Sequence, residues 1–329
     1  MTPPRGVGVV WPPLYAARRR WCRGSATDWL AFGKELMMNN LRGRTAILTG
    51  ASKGIGVHVA RALAKQGMNL VLAARSASAL EEVRKAVERL GVRAIAVPTD
   101  VGDRSALESL VERSRSEFGA IDVLVNNAGI ELILAYHKLT LEEIDQIVSV
   151  NLIAPMHLTW LVLPGMLERG QGHIVNMSSL AGKAGPACNE SYSATKAGLI
   201  GFTQSLRATY RDSGVSASVI CPGYVEEGMY AKTKEEFGLA APRRLGVSKP
   251  EAVASGVIRA IKKDLPEVIV NPSPIRPLLM MNAVSPSLGE WIVERTGANA
   301  AFFRKAAEVR ESQRVEAKQE VSGDAGRES

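Results

Sequence analysis

Tyr192 and Lys196 stand four residues apart in Tyr192-Ser-Ala-Thr-Lys196, a spacing that puts both on one face of a helix. A free phenol ionises near pH ~10, too high for efficient proton exchange at neutral pH. A nearby ammonium favours the phenolate and draws that value down. Alone, such a pair is more often solvent-facing helix surface than a reaction centre. Ser179 changes that reading. It lies thirteen residues upstream in Asn176-Met-Ser-Ser179-Leu-Ala-Gly182, just past an apolar run ending at Met177. At the carboxyl end of a strand, its hydroxyl can hydrogen-bond a substrate oxygen and orient it toward Tyr192.

A second group of residues suits an anion. Gly50-Ala-Ser52-Lys53-Gly54-Ile55-Gly56 separates an apolar run from a helix-spaced segment. Residues without side chains let the backbone turn tightly and approach a pyrophosphate, while the helix start offers unpaired N–H groups and a favourable dipole. A simple tight turn is the bland alternative, but placement after a first strand favours dinucleotide binding. About twenty residues on, an NAD-selective site would carry an acid against the ribose 2′-hydroxyl. This chain has Arg75 there, and a guanidinium can fork onto a 2′-phosphate. Lys53 adds a second cation. The expectation is NADP(H) in preference to NAD(H), against the alternative that both are solvated strand-end charges.

The elements that must position these groups alternate regularly from Leu41. Strands are expected at Thr45–Thr49, Asn69–Ala73, Ala94–Val97, Ile121–Val125, His173–Met177, Ser216–Cys221 and Glu267–Asn271. Helical spacing separates them, as in Leu80, Val83, Val87 and Leu90, and one long helix is expected over 140–167. The strands are continuous apolar runs, so helices should cover both sheet faces. Repeated strand–helix alternation implies one doubly wound parallel α/β sheet, a single Rossmann domain over residues 41–275. Residues 1–40 form an N-terminal extension, either disordered or a targeting segment, with Met37 or Met38 as an alternative start. A helical extension and charged tail follow over 276–329.

Thr49-Gly-Ala-Ser-Lys-Gly-Ile-Gly56, Asn126-Asn127-Ala128-Gly129, Asn151, Ser179, the Tyr192/Lys196 pair and Pro222-Gly223-Tyr-Val225 occur in the order that resembles the short-chain dehydrogenase/reductase family. The resemblance implies that Asn151, Ser179, Tyr192 and Lys196 are a catalytic tetrad, with Asn151 holding a water that connects Lys196 to solvent. It also implies that Asn127, Ala128 and Gly129 line the cofactor, Asp100 and Val101 its adenine, and Pro222, Gly223 and Val225 its nicotinamide. The implied reaction is reduction of a ketone or aldehyde, or oxidation of the matching alcohol. Glu227 departs from the pattern, standing where many relatives carry threonine, and would face solvent, Lys232 or Lys234. The carboxyl end lacks the short Gly-Gly finish of acyl-carrier-protein ketoreductases and is more similar to relatives acting on lipid, retinoid or steroid carbonyls. An altered homo-oligomer interface is expected from it.

Composition removes several other classes. The formal charge is +8 over 329 residues, but six basic residues against two acidic ones before residue 41 account for half of it, and the tail from 304 is balanced. No basic stripe with interleaved aromatics remains to suggest nucleic acid. Three scattered cysteines and four histidines show neither a disulfide framework nor metal-ligand spacing, which fits a reducing, cytoplasmic setting; the extension leaves organelle targeting open. No run of 18 consecutive apolar residues spans a membrane. Peripheral contact through the arginine-rich start or Leu278-Leu-Met-Met281 is one rival reading, and a non-catalytic NADP(H)-sensing protein is another. The small-molecule substrate is expected to be apolar, touching Ile130–Leu132, Ala184–Cys188 and Tyr224–Leu245. The last segment would be a mobile lid or an ordinary surface helix.

Overall fold

The computed structural model describes residues 38–325 apart from Arg244 and Gly297, so the expected extension lies outside the described residues except for its last three. Seven strands form one parallel sheet: β1 (Thr45–Thr49), β2 (Asn69–Ala74), β3 (Ala94–Pro98), β4 (Val123–Asn126), β5 (Gly172–Met177), β6 (Val215–Pro222) and β7 (Glu267–Val270). Their order across the sheet is β3-β2-β1-β4-β5-β6-β7. Helices α1 (Ile55–Lys65), α2 (Ala77–Glu88), α3 (Arg104–Phe118), α4 (Leu141–Val148), α5 (Ala154–Glu168), α6 (Glu190–Thr209), α7 (Met229–Phe237) and α8 (Pro250–Lys263) connect or follow the strands. Three more helices close the chain: α9 (Arg276–Val284), α10 (Pro286–Thr296) and α11 (Ala298–Ala325).

Successive side chains on a strand point to opposite faces, and the core divides accordingly. Ala46 and Leu48 of β1 pack with Val59 and Leu63 of α1, Leu80 and Val83 of α2, and Val257 and Ile261 of α8. Ile47 of the same strand packs oppositely with Leu110 of α3 and Leu158 and Val162 of α5. Burying each such side chain stabilises the fold by about 1.5–3 kcal/mol before chain entropy is subtracted. The sheet is thus a two-faced wall, which explains the lack of polar alternation in its strands.

The expected long helix is three pieces. Between α4 and α5, Ser149–Ile153 winds as a π-helix, and Asn151 lies in that turn. The periodicity that a sequence shows does not separate one i→i+5 turn from the α-helix around it. Residues 141–168 are long and apolar enough to cross a membrane. The α5 part of this stretch nevertheless covers the sheet, with Leu158, Val162, Leu163 and Met166 buried in the core.

From β1 the chain winds outward to β2 and β3, and from β4 it winds the other way, so the ends of β1 and β4 part into a crevice. The Thr49 hydroxyl fastens that crevice, accepting hydrogen bonds from the backbone N–H of Asn127 and of Ala128, both at 3.0 Å. Asn127 Nδ2 returns the contact to the Thr49 carbonyl at 3.0 Å. Deeper in the sheet, Asn126 Nδ2 donates to Asn176 Oδ1 at 2.8 Å, and Asn176 Nδ2 donates to Thr203 Oγ1 at 2.9 Å. That buried chain ties β4, β5 and α6 in one register. Thr49→Val keeps the shape but leaves the Ala128 N–H without its acceptor and the Asn127 N–H with only the Val125 carbonyl, and we expect it to lower stability by about 1–3 kcal/mol in urea unfolding.

Candidate active site

The glycine turn begins at the end of β1 with its backbone in conformations that favour glycine: φ is 66° at Gly50 and 55° at Gly54. A Cβ on Gly50 would lie 2.9 Å from the Ala128 Cα, and one on Gly54 would lie 3.0 Å from the Gly228 Cα. A Cβ on Gly56 would run into the Gly50 carbonyl. Side chains are therefore excluded from a cradle that opens onto the start of α1, and this cradle fits a dinucleotide pyrophosphate. Ser52, Lys53 and Ile55 line the same cavity. Arg75 and Lys53 are exposed at its rim, and neither makes an ion pair among the described residues. Asp100 and Val101 line it beyond β3, where the Asp100 carboxylate accepts from the Gly102 N–H at 2.9 Å.

The other half of the site sits past β4, β5 and β6. Lys196 is 3 % exposed, and its ammonium donates to the carbonyl of Met177, the last residue of β5, at 2.9 Å. It stands 5.4 Å from the centroid of the Tyr192 ring. Ser178 Oγ donates to the Lys196 carbonyl at 2.7 Å, so the strand end grips the helix at both side chain and backbone. Ser179 begins a short 3₁₀ turn, its hydroxyl accepting from the Ala181 N–H at 3.1 Å. Asn151 Oδ1 accepts from the Ile130 N–H and its Nδ2 donates to the Ile130 carbonyl, both at 2.8 Å. The side chain of Asn151, expected to hold a water, thus grips the loop after β4. Gly129 in that loop is needed for space: a Cβ there would meet Asn151 Oδ1 at 3.2 Å and Lys196 Nζ at 3.4 Å.

Electrostatics differ from the sequence expectation. The Tyr192 phenol is pushed well above its ordinary value, chiefly by burial and next by the negative charge of Glu131, while a hydrogen bond from Ser179 opposes the shift. Burial also lowers Lys196 to about 8, against the charges of Glu131 and Cys221. Desolvation is the largest cause of both shifts because both side chains are buried.

One cavity of about 1270 Å³ joins the two halves, with Gly50, Arg75, Asn127, Ser179, Tyr192, Lys196, Pro222, Gly223 and Val225 among its lining. Val225 pairs with Ser248, pinning the segment between them as an excursion that carries α7. Glu227 contacts neither Lys232 nor Lys234; both its oxygens lie 3.1 Å from His58 Nε2, while His58 Nδ1 lies 3.0 Å from Glu251. Leu132 and Cys188 do not line the cavity; Cys188 packs beside it with Ile133 and Phe302. Sequence reasoning missed Phe302 and Phe303 of α11, which reach the cavity from more than a hundred residues away. Their adjacency within a charged helix was the one available signal.

The sequence profile described as short chain dehydrogenase matches residues 44–237. This chain is a member of the short-chain dehydrogenase/reductase family. It is 45% identical over 279 residues to the ketoacyl reductase HetN of Nostoc sp. (strain PCC 7120 / SAG 25.82 / UTEX 2576), covering 83% of this chain and 96% of that protein. It is 35% identical over 195 residues to a D-beta-hydroxybutyrate dehydrogenase of Cupriavidus necator, covering 59% and 76% respectively. Among solved structures, a single-residue variant of actinorhodin polyketide ketoreductase with NADPH superposes with a TM-score of 0.66 at 33% identity, over 69% of this chain and 95% of that one. A metagenomic short-chain oxidoreductase in complex with NADP gives 0.61 at 32%, over 71% and 99%. The short-chain dehydrogenase/reductase frame accounts for the Rossmann sheet and for an enzyme acting on carbonyl or alcohol groups.

Within that frame the buried lysine has a measurable signature. The unfolded chain, with Lys196 at its ordinary 10.5, binds more proton than the folded chain at about 8, so stability rises with pH between those values. We expect Lys196→Met to lose a rise of ~2 kcal/mol in urea unfolding compared between pH ~7.5 and pH ~10. Tyr192, shifted upward, adds its opposite trend only above pH ~10.

Proposed function

We propose that this enzyme is an NADP(H)-dependent carbonyl reductase in which Tyr192 is the proton donor. The observation that carries the reading is the convergence of Tyr192, Ser179 and Lys196 on the cavity that also contains the glycine cradle. Bound NADP(H) supplies hydride exchange at the carbonyl carbon. Gly50, Gly54 and Gly56 leave room for its pyrophosphate, and Arg75 and Lys53 supply positive charge for a 2′-phosphate. The NADPH- and NADP-bound relatives support this choice.

Ser179 steadies the substrate oxygen and Tyr192 delivers a proton to it. The phenol is protonated at neutral pH, the form that reduction needs, and the hydrogen bond from Ser179 opposes the rise from burial and so favours release of the proton. Lys196, fixed by the Met177 carbonyl, holds its ammonium beside the phenol for the cofactor ribose and for the charge left after transfer. Asn151 keeps the loop carrying Asn127, Ala128 and Gly129 in place over that ammonium. The substrate side is walled by Ile133, Tyr224, Tyr230, Phe302 and Phe303, which suits an apolar body.

Tyr192→Phe should retain NADPH binding by fluorescence while losing at least about a thousandfold in turnover; undiminished turnover refutes the role. Arg75→Asp should weaken NADPH by about tenfold or more and spare NADH, read by titrating both nucleotides; an unchanged NADPH/NADH ratio removes Arg75 from the site. We also propose a homo-oligomer, because Ile153, Met156 and Trp160 present an exposed apolar face on the far side of the core-facing stripe of α5. Sedimentation of wild-type and Trp160→Glu proteins tests this: the wild type should be oligomeric and the variant smaller.

A further inference from the structure

Glu131 is the residue in the cavity that the reaction above leaves without a task. It follows Ile130 in the loop that Asn151 grips, and it lines the substrate side among Ile133, Tyr224, Tyr230, Phe302 and Phe303. The other acids lining the cavity are placed differently. Asp100 and Glu227 lie on the cofactor side, and Glu235 is exposed on α7. Glu131 lines the same cavity as Tyr192, Lys196 and Tyr224, and its charge acts on all three; burial in turn raises its own pKa, against the pull of Asn189, Arg310 and Lys196.

The structure holds this carboxylate deliberately. Glu131 Oε1 accepts from Asn189 Nδ2 at 2.5 Å. Asn189 is 2 % exposed, and its own Oδ1 has no partner among the described residues. The Asn189 amide nitrogen is thus committed to Glu131 while its oxygen finds no partner among the described residues. The preceding residue, Cys188, has φ 57°, a left-handed conformation that a side chain disfavours, and it delivers Asn189 to that position. An unsatisfied carbonyl and a strained residue converge on one acid. The nearby cations do not neutralise it by direct pairing. Arg310 pairs with Glu236 at 3.1 Å and stacks 4.9 Å over the Phe237 ring, and the Lys196 ammonium is tied to Met177. Glu131 Oε2 has no hydrogen-bond partner among the described residues and is left for a ligand.

We infer that Glu131 is the specificity-determining anchor of the substrate lobe, accepting a hydrogen bond from a hydroxyl or ammonium on the substrate and rejecting a carboxylate there. The apolar walls take the carbon body, and the single acid reads one polar substituent. Burial favours the protonated acid; a donor in place draws Glu131 back to the carboxylate and gains a charge-assisted hydrogen bond, whereas an anionic substituent opposes that ionisation and is desolvated against the like charge. This rests on the carbonyl-reductase reading of the same cavity, and the two can fail separately.

The test uses three aryl ketones that differ only in the para substituent of acetophenone: hydroxymethyl, aminomethyl and carboxylate. Binding is measured by calorimetry on the NADPH-loaded Tyr192→Phe protein, which reads the anchor without turnover, and kcat/KM is measured on the wild type. At least one donor compound should exceed the carboxylate on the order of tenfold or more in both assays. The hydroxymethyl and aminomethyl arms distinguish a neutral from a cationic donor. In Glu131→Gln, which keeps the side-chain length and an acceptor for Asn189, the preference should collapse toward unity. The inference is overturned by equal binding of all three compounds, by failure of all three to bind, or by a preference that survives Glu131→Gln. Discrimination in calorimetry without any wild-type turnover would instead count against the reductase reading and leave the anchor standing.

Discussion

A lysine buried without a carboxylate partner in direct contact is the constraint around which this site is arranged. The Lys196 ammonium has the carbonyl of Met177 as its hydrogen-bond partner, and burial alone drives its pKa down to about 8. Such a group is tolerated only where the backbone around it is held firmly, since a misplaced carbonyl would leave the charge unsolvated. The holding is visible on every side: Ser178 on the Lys196 carbonyl, Asn151 on the Ile130 peptide, and the Asn126–Asn176–Thr203 chain beneath. Tyr192 is positioned by the same helix and inherits that rigidity.

The two ends of the sheet divide their work. At the amino edge, Arg44 reaches Asp122 at 3.2 Å and Arg207 reaches Asp264 at 2.6 Å, pairs that tie elements together away from the cavity. At the carboxyl edge the polar groups face a crevice instead, because β1 and β4 send their chains in opposite directions. Polar side chains there either close the crevice, as Thr49 does, or line the cavity, as Ser179 and Arg75 do. His173 illustrates the contrast. Burial lowers its pKa to about 4, and its ring bonds Ser218 at 2.8 Å, which makes it a neutral structural residue of the sheet.

Helix α11 completes the substrate side. Phe302 and Phe303 pack edge-on to one another, with centroids 5.2 Å apart, and against Tyr224. Outside that cluster, Lys138 pairs with Glu311 at 2.7 Å, Arg310 pairs with Glu236, and Arg314 bonds Glu143. Glu143 is also the acid of the capping box that starts α4, so one carboxylate joins a helix start to the C-terminal helix. Pairs open to solvent, as Lys138–Glu311 is, each contribute little. The buried aromatic contacts provide most of the attachment, and the charges set its register.

The sequence by itself determined the sheet, the parallel run of its strands and where the candidate site residues stand on them. Those features are local or nearly so: apolar runs, a glycine turn with the right neighbours, Tyr192 and Lys196 one helical turn apart, and Ser179 at a strand end. Only the tertiary structure decided the rest, because the deciding contacts join residues far apart in the chain. Asn151 sits in a π-turn that apolar spacing does not reveal, and it clasps Ile130 from across the loop. Glu227 finds His58 169 positions away instead of a neighbouring lysine. Phe302 and Phe303 read as two aromatics in a charged helix until α11 folds back over the cavity. The Tyr192 pKa also turned on folding, since the sequence pairs the phenol with an ammonium but cannot state how deeply both are buried, nor that Glu131 lies close enough to act on them.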